Sequence, residues 1–225
     1  MPPHDRSQPW DAVLLDLDGT LTDSARAVTS SVRAALEAIG APVPDDDALL
    51  DYVGPPLLVG FRQIAGLDEE DVPRALAAYR EIYGGGRLFD VDVFKDVPRL
   101  LDALQRVGMP LALATSKGAD HARRILERFG LLEYFAVVAG ARPDGTRSAK
   151  DEVIDEAVRG LADLGCSTDE IVMVGDREHD IAGAARWGIP CIAVRWGYGT
   201  EDEWAGAYAV VHTVPELADL LGVEL

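Results

Sequence analysis

The stretch "AVLLDLDGTLTDS", Ala12 to Ser24, decides the reading of this chain. An apolar run of strand length ends in two aspartates, Asp16 and Asp18, one leucine apart. A glycine and a threonine follow at once. A run that is apolar almost throughout belongs to a strand covered on both faces, as in a parallel sheet between helices. Two carboxylates at its end repel each other unless something positive sits between them. The plain alternative is an Asp-Gly turn signal with no chemistry.

The same kind of run recurs along the chain. "PLALAT" (Pro110–Thr115), "FAVVA" (Phe135–Ala139), "IVMVGD" (Ile171–Asp176), "IPCIAV" (Ile189–Val194) and "AYAVV" (Ala207–Val211) all read as strands. Helical patterns separate them. Residues Asp96–Gly108, Lys117–Gly130 and Ser148–Gly165 carry apolar residues at helical spacing and stop at glycine. Thr213–Leu221 opens with a Thr-x-x-Glu capping box. Strand and helix in alternation imply right-handed βαβ units and a doubly wound, Rossmann-like parallel sheet.

One segment breaks the rhythm. From Ser24 to Val91 there is no convincing strand, only four helical stretches with Gly or Pro stops. The expected organisation is a catalytic core from residues 1–23 and 92–225, with an inserted all-helical domain over 24–91. "GGGRLFDVDVF" is the expected hinge of its return.

Composition bounds the function. The 225 residues are 48% hydrophobic, enough for a sizeable core. Lysine and arginine total 21 against 39 acidic residues, a formal charge of −18. Such a surface repels nucleic acid and anionic lipid, so neither is an expected partner. It also repels a phosphorylated substrate unless the site supplies local positive charge. Cys166 and Cys191 stand apart, outside any CxxC pair, and read as buried reduced thiols. No apolar run approaches a membrane span. The polar, proline-rich start "MPPHDRSQPW" lacks the features of a signal peptide, so a soluble cytoplasmic protein with a short flexible N-terminus is expected.

In open parallel sheets, ligands bind outside the carboxyl ends of the strands. Those ends would bring Asp16, Asp18, Thr115, Ser116, Lys117, Asp176 and Asp180 to one edge, with Lys150 near a helix start. Hard carboxylate oxygens suit Mg²⁺, which prefers few protein ligands plus waters and substrate phosphate. An ion shared by Asp16 and Asp176 would remove the repulsion. A carboxylate there can attack phosphorus, and a second acid two residues on can move the proton. A hydroxyl and a lysine can hold phosphoryl oxygens as charge develops.

"DLDGTLTDS", "ATSK", the lysine of "RSAKDEVI" and "GDREHD" together resemble the four ordered motifs of the haloacid dehalogenase superfamily. The match runs from about Val13 to Tyr198. The helical insert resembles that superfamily's alpha-helical cap. The ensemble looks most like the phosphoglycolate phosphatase-like group and is also similar to a branch often described as 5′-nucleotidases. The resemblance implies that Asp16 is nucleophile and Mg²⁺ ligand. It makes Asp18 the general acid/base, lending a backbone carbonyl to the metal. Thr115 would bind phosphate, with Ser116 and Lys117 beside it, and Lys150 would neutralise nucleophile and phosphate. Asp176 would ligate Mg²⁺, and Asp180 would either ligate the ion directly or orient Lys150 or a metal-bound water.

The implied function is a Mg²⁺-dependent phosphatase acting on a small phosphorylated metabolite, phosphoglycolate or a nucleoside monophosphate, through an aspartyl-phosphate. Members that dehalogenate carbon lack the second aspartate, which is present here as Asp18. Phosphonate-cleaving members need a Schiff-base lysine in the cap, and residues 24–91 contain no lysine. A sugar phosphomutase of the same fold and a non-catalytic Mg²⁺- or phosphate-binding regulator remain alternatives, and a monomer or homodimer is expected.

Each candidate also has a bland reading. Thr115 or Ser116 could merely cap the helix that follows. "DLDG" could be half an EF-hand loop, but Thr20 and Leu21 occupy positions that such a loop reserves for a ligand and for glycine. His121, His179 and His212 have no ligand spacing and read as surface or capping residues, with His179 near the site edge. Specificity is expected from the insert, at Tyr52, Gly54, Pro55, Phe61 and Arg62. The Gly54–Pro56 turn would lie above the site, and Tyr52 and Phe61 could frame a base. Arg62 and Arg87 could meet an anion or simply face solvent.

Overall fold

The computed structural model describes residues 9–142 and 149–225. The start of the chain, and the expected helix start at Ser148, fall outside the described residues.

Six strands make one parallel sheet: β1 (Ala12–Leu15), β4 (Leu111–Gly118), β5 (Val137–Ala141), β6 (Ile171–Gly175), β7 (Cys191–Val194) and β8 (Ala209–Val211), in the order β5-β4-β1-β6-β7-β8. β1 is central, with Val13 opposite Leu111 on one side and Ala12 opposite Ile171 on the other. From β1 the chain proceeds outward to β4 and β5. It then crosses back to β6 and proceeds the other way. Connections therefore diverge between β1 and β6, the kind of crevice that receives ligands in open α/β sheets.

Strand residues alternate between two apolar layers, as the two-residue period requires. Val13, Leu15, Leu113 and Val174 join a cluster with α5 (Val97–Arg106), α6 (Ala119–Arg128) and α9 (Val214–Leu221). Ala12, Leu14, Ala114 and Met173 face α7 (Lys150–Asp163) and α8 (Glu178–Ala185). The second layer is rich in alanine, so its helices lie close. At Gly183 of α8 an added Cβ would sit 2.8 Å from Cγ of Lys150, so the glycine leaves room for the lysine stem.

Between β1 and β4 come α1 (Ala25–Ile39), α2 (Asp46–Leu50), α3 (Leu57–Gln63) and α4 (Asp71–Gly84). Their apolar faces belong to the same cluster as the first sheet face, so the helical insert packs continuously onto the sheet layer. The chain leaves for the insert through β2 (Thr22–Asp23) and returns through β3 (Asp92–Val93), which pair antiparallel as a two-residue ribbon. That ribbon was not in the sequence reading, because two residues carry no periodicity.

Two details differ from the sequence expectation. β4 runs three residues past Thr115, with a register shift against β5 between Thr115 and Gly118. Consequently α6 starts at Ala119 with Gly118 in the N-cap position, and neither Thr115 nor Ser116 caps it. Among the described residues, no helix is long and apolar enough to cross a membrane. Both cysteines are free thiols, Cys191 buried and Cys166 half-buried.

Candidate active site

The carboxyl end of β1 leads into a tight loop in which the amides of Leu21 and Thr22 both reach the carbonyl of Leu17 at 2.9 Å. Gly19 turns this loop with φ of +82°. A Cβ there would overlap the carboxylate of Asp176, which follows β6. The glycine after the aspartate pair therefore serves twice: it supplies the left-handed backbone and leaves space for the neighbouring acid.

Asp16, Lys150, Asp176 and Asp180 come together here, all essentially buried. Lys150 Nζ lies 2.9 Å from Asp16 Oδ1 and 2.6 Å from Asp180 Oδ1, and donates to the carbonyl of Ala114 at 3.0 Å. It thus meets the acid that follows β1, a carbonyl of β4 and an acid of α8. Burial alone would lower its pKa, but Asp16 and then Asp180 outweigh that and push it above the usual lysine range. Asp180 is held by its other oxygen, which accepts from the amides of Asp176 (3.1 Å) and Arg177 (3.0 Å) at the start of α8. An added Cβ on Gly175 would overlap the Asp180 carboxylate, so this fold-back needs a glycine at the end of β6. Asp180 is thus fixed by the turn while its Oδ1 faces Lys150.

Asp176 accepts from the amide of Tyr198 at 2.7 Å through Oδ2, while its buried Oδ1 has no hydrogen-bond partner. One carboxylate oxygen from each of Asp16, Asp176 and Asp180 lies within 4.8 Å of the others. Three acids and one ammonium out of water are electrostatically incomplete. Burial is the main cause that pushes the Asp16 carboxyl up to about 6 despite Lys150, and burial with Asp180 and Asp16 pushes Asp176 well above the carboxylate range. The partnerless Asp176 oxygen and the hard-oxygen donor set fit Mg²⁺. Asp16 and Asp176, with Asp180 beside them, are the side chains that would hold the ion.

Asp18 faces a different partner. Its Oδ2 lies 2.9 Å from Lys117 Nζ, and Lys117 also donates to the hydroxyl of Tyr83 on α4 at 2.8 Å. Burial opposes the charge on Lys117, but Asp18 and then the two tyrosines, Tyr83 and Tyr79, raise its pKa well above the usual value. Thr115 is buried, with Oγ1 accepting from the Lys117 amide at 3.2 Å, and the buried Ser116 Oγ has no hydrogen-bond partner.

Beside Asp18 opens a cavity of about 360 Å³ between insert and sheet edge. Tyr52, Gly54, Pro55, Tyr79, Tyr83, Ser116, Lys117 and His121 line it, with Val28, Leu57 and Leu76 as apolar wall. Tyr79 and Tyr83 stack at 5.2 Å between ring centroids, and His121 lies 5.4 Å from Tyr83. His121 is thus a half-buried wall residue rather than a surface one. Burial, then Lys117, lowers its pKa. Phe61 lies behind the wall, fully buried and edge-on to Tyr52 at 5.5 Å. Arg62 does not line the cavity; it is exposed and pairs with Glu69 at 2.8 Å. Arg87 is likewise spent on the backbone, donating to the carbonyl of Ser30.

The sequence reading missed Tyr79, Tyr83, Arg177 and Tyr198. Arg177 sits inside the fourth motif, yet it reaches the insert. Its Nη1 donates to the carbonyl of Val53 at 2.9 Å, and its Nε pairs with Glu203 at 2.8 Å. The signal available for Tyr79 and Tyr83 was their i, i+4 spacing on one helix face, which equally describes core packing.

Comparison with known proteins agrees with this geometry. The model of the "Haloacid dehalogenase-like hydrolase" family matches residues 13–194. The chain is 45% identical to the tyrosine-protein kinase PtkA of Mycobacterium tuberculosis, over 94% of this chain and 72% of that one. It is 41% identical to a 5′-nucleotidase of Pseudomonas aeruginosa, over 92% of each. Among solved structures, a predicted phosphatase from Clostridium acetobutylicum superposes with a TM-score of 0.87 at 38% identity, covering 93% of this chain and 97% of its own. With a family match running from β1 to β7 and relatives aligned along nearly the whole chain, this protein belongs to the haloacid dehalogenase-like hydrolases.

Proposed function

We propose that the chain is a Mg²⁺-dependent phosphomonoester hydrolase that works through an aspartyl-phosphate on Asp16. One observation carries this reading: the two aspartates that follow β1 are held by different cations, Asp16 by Lys150 and Asp18 by Lys117. The pair is thereby divided into a group aimed at the sheet-edge acids and a group aimed at the cavity.

In the first half-reaction a carboxylate oxygen of Asp16 bonds to phosphorus as the ester P–O bond breaks. Asp18 gives its proton to the departing alkoxide, which leaves as the alcohol. In the second, Asp18 takes a proton from water, the water oxygen bonds to phosphorus, and Asp16 is released with inorganic phosphate. Lys150 and the Thr115 and Ser116 hydroxyls stabilise the charged phosphoryl oxygens. An incoming phosphate competes for Lys117, freeing Asp18 to address the leaving oxygen. Mg²⁺, held by Asp16 and Asp176, would supply charge neutralisation for phosphate and nucleophile together.

The helical insert, residues 24–91, acts in this reading as a cap that chooses the leaving group. A 360 Å³ cavity with an apolar wall and two stacked tyrosines is roomy and aromatic for a two-carbon acid. It favours a nucleoside monophosphate over phosphoglycolate. The 41% identity with a 5′-nucleotidase supports the same choice.

The decisive experiment is phosphate release from a panel of monoesters with Mg²⁺, for wild type and Asp16→Asn. The variant should lose about 10³-fold or more in kcat. Near wild-type turnover by the variant, or no turnover by well-folded wild type, overturns the reading. The 45% identity with a tyrosine-protein kinase favours a second reading, in which the Asp16 phosphoryl group passes to a tyrosine hydroxyl instead of water. Phosphotyrosine appearing in a peptide incubated with ATP, and lost with Asp16→Asn, would select it.

A further inference from the structure

After β7 the chain reads "RWGYGTEDEW", Arg195–Trp204, a run of aromatics and glycines that the proposed chemistry does not use. Its polar aromatic atoms are all aimed. Trp196 Nε1 donates to the carbonyl of Thr20 at 3.0 Å, in the loop after β1, and Trp204 Nε1 donates to the carbonyl of Asp176 at 2.8 Å. Tyr198 lies between them with a function at each end. Its amide donates to Asp176 Oδ2 at 2.7 Å. Its hydroxyl donates to Asp23 Oδ1 at 2.7 Å and accepts from the amides of Ser24 (2.8 Å) and Ala25 (3.0 Å).

Those last three residues are where the chain leaves the sheet for the helical insert. Asp23 ends β2 of the two-residue ribbon and Ala25 begins α1. Ser24 stands in the N-cap position of α1, but its side chain makes no capping bond and its buried Oγ has no partner. At this helix start the Ser24 amide is capped from across the structure by Tyr198, and the Ala25 amide is shared between Tyr198 and the Asp23 carboxylate, at 3.3 Å. A phenolic hydroxyl has one donor and two acceptor sites, and all three are used. The backbone on either side cannot slip. A Cβ on Gly197 would overlap the Asp176 side chain, and one on Gly199 would overlap the Asp176 carbonyl.

We propose that Tyr198 is a positioning residue that ties the root of the helical insert to Asp176, so that the setting of this carboxylate and the seating of the insert are linked. The ring is a rigid rod with two torsions, one end on the site and the other on the hinge. Movement of the insert at β2 either drags Tyr198, and with it the amide on Asp176, or breaks three hydrogen bonds. The consequence for catalysis rests on the phosphatase reading; the mechanical link does not.

The test is a double-mutant cycle read by hydrogen exchange at the amides of Ser24 and Ala25 in the full chain. Tyr198→Phe keeps the ring and the amide but loses the hinge bonds, so these two amides should exchange about tenfold faster. Asp176→Ala removes the acceptor at the far end. It should also speed exchange at Ser24 and Ala25, and add little in the Tyr198→Phe background. Asp176→Asn, which retains an acceptor oxygen, should restore slow exchange. If Asp176→Ala leaves these amides unchanged, or if the two effects simply add, the link does not exist. In turnover, Tyr198→Phe should raise KM about fivefold or more with kcat within about twofold. A fall in kcat with unchanged KM would overturn the positioning role. If wild type hydrolyses no monoester, the phosphatase reading fails while the exchange cycle still decides the link.

Discussion

Asp16 shows what burying a carboxylate costs the fold. Its ordinary carboxyl pKa of 3.8 is pushed up to about 6, chiefly by burial. Between those two pH values the folded chain keeps a proton that the unfolded chain has lost. The stability that this proton contributes below about pH 4 is therefore lost as pH rises toward 6. Above that, the ionised group costs about 3 kcal/mol, at 1.36 kcal/mol per pKa unit. Asp16→Asn should accordingly be more stable than wild type in urea unfolding at pH 7.5 in EDTA, with the gap closing by pH 4. A gap that stays constant across this range would contradict the burial argument. The sequence announced Asp16, Asp18 and Asp176 because carboxylates at apolar strand ends have few structural excuses. It could not announce that Lys117 would grip Asp18, because a lysine after a strand is equally at home in solvent.

The turn from β6 into α8 carries more than the fourth motif's acids. Asp180 caps the turn, and Arg177 extends from it to the carbonyl of Val53, one residue before Gly54, where an added Cβ would meet the Arg177 stem at 2.9 Å. Glu203 holds this arginine and also accepts from the amide of Glu178 at 3.1 Å. Both side chains of the pair are mostly buried, so removing one partner strands the other. Glu203→Ala should destabilise the protein by about 3 kcal/mol in chemical unfolding. It should also make the Val53 and Gly54 amides the most affected in hydrogen exchange outside the 201–204 turn. Helices and strands of full length were legible in their apolar periods. The β2–β3 ribbon and the extension of β4 were not, since pairing partners rather than local pattern create them. The bland alternative for Thr115, a helix cap, fails for the same reason: the neighbouring strand β5 draws three more residues into the sheet and moves the helix start to Ala119.

For the molecule as a whole, the acids at the β1–β6 crevice are a local concentration of a charge that totals −18. A divalent cation that binds the folded site and not the unfolded chain must raise the melting temperature with its concentration. At a hundredfold excess over its dissociation constant the gain is about 2.7 kcal/mol. Mg²⁺ titrated into EDTA-treated protein should show this rise, and Asp176→Asn should abolish most of it. An identical Mg²⁺ response in that variant would remove Asp176 from the metal site.

The alternation of apolar runs with amphipathic stretches was enough to specify a parallel sheet between helices, because burial on both faces dictates composition residue by residue. The order of acids, hydroxyls and lysines at the run ends was enough to gather them at one sheet edge. Which cation meets which carboxylate was decided only in three dimensions. So was the emergence of Tyr79 and Tyr83 as cavity wall, and the reach of Arg177 and Tyr198 from the core to the insert. Each depends on distances between segments far apart in the chain, and local pattern holds no record of such distances.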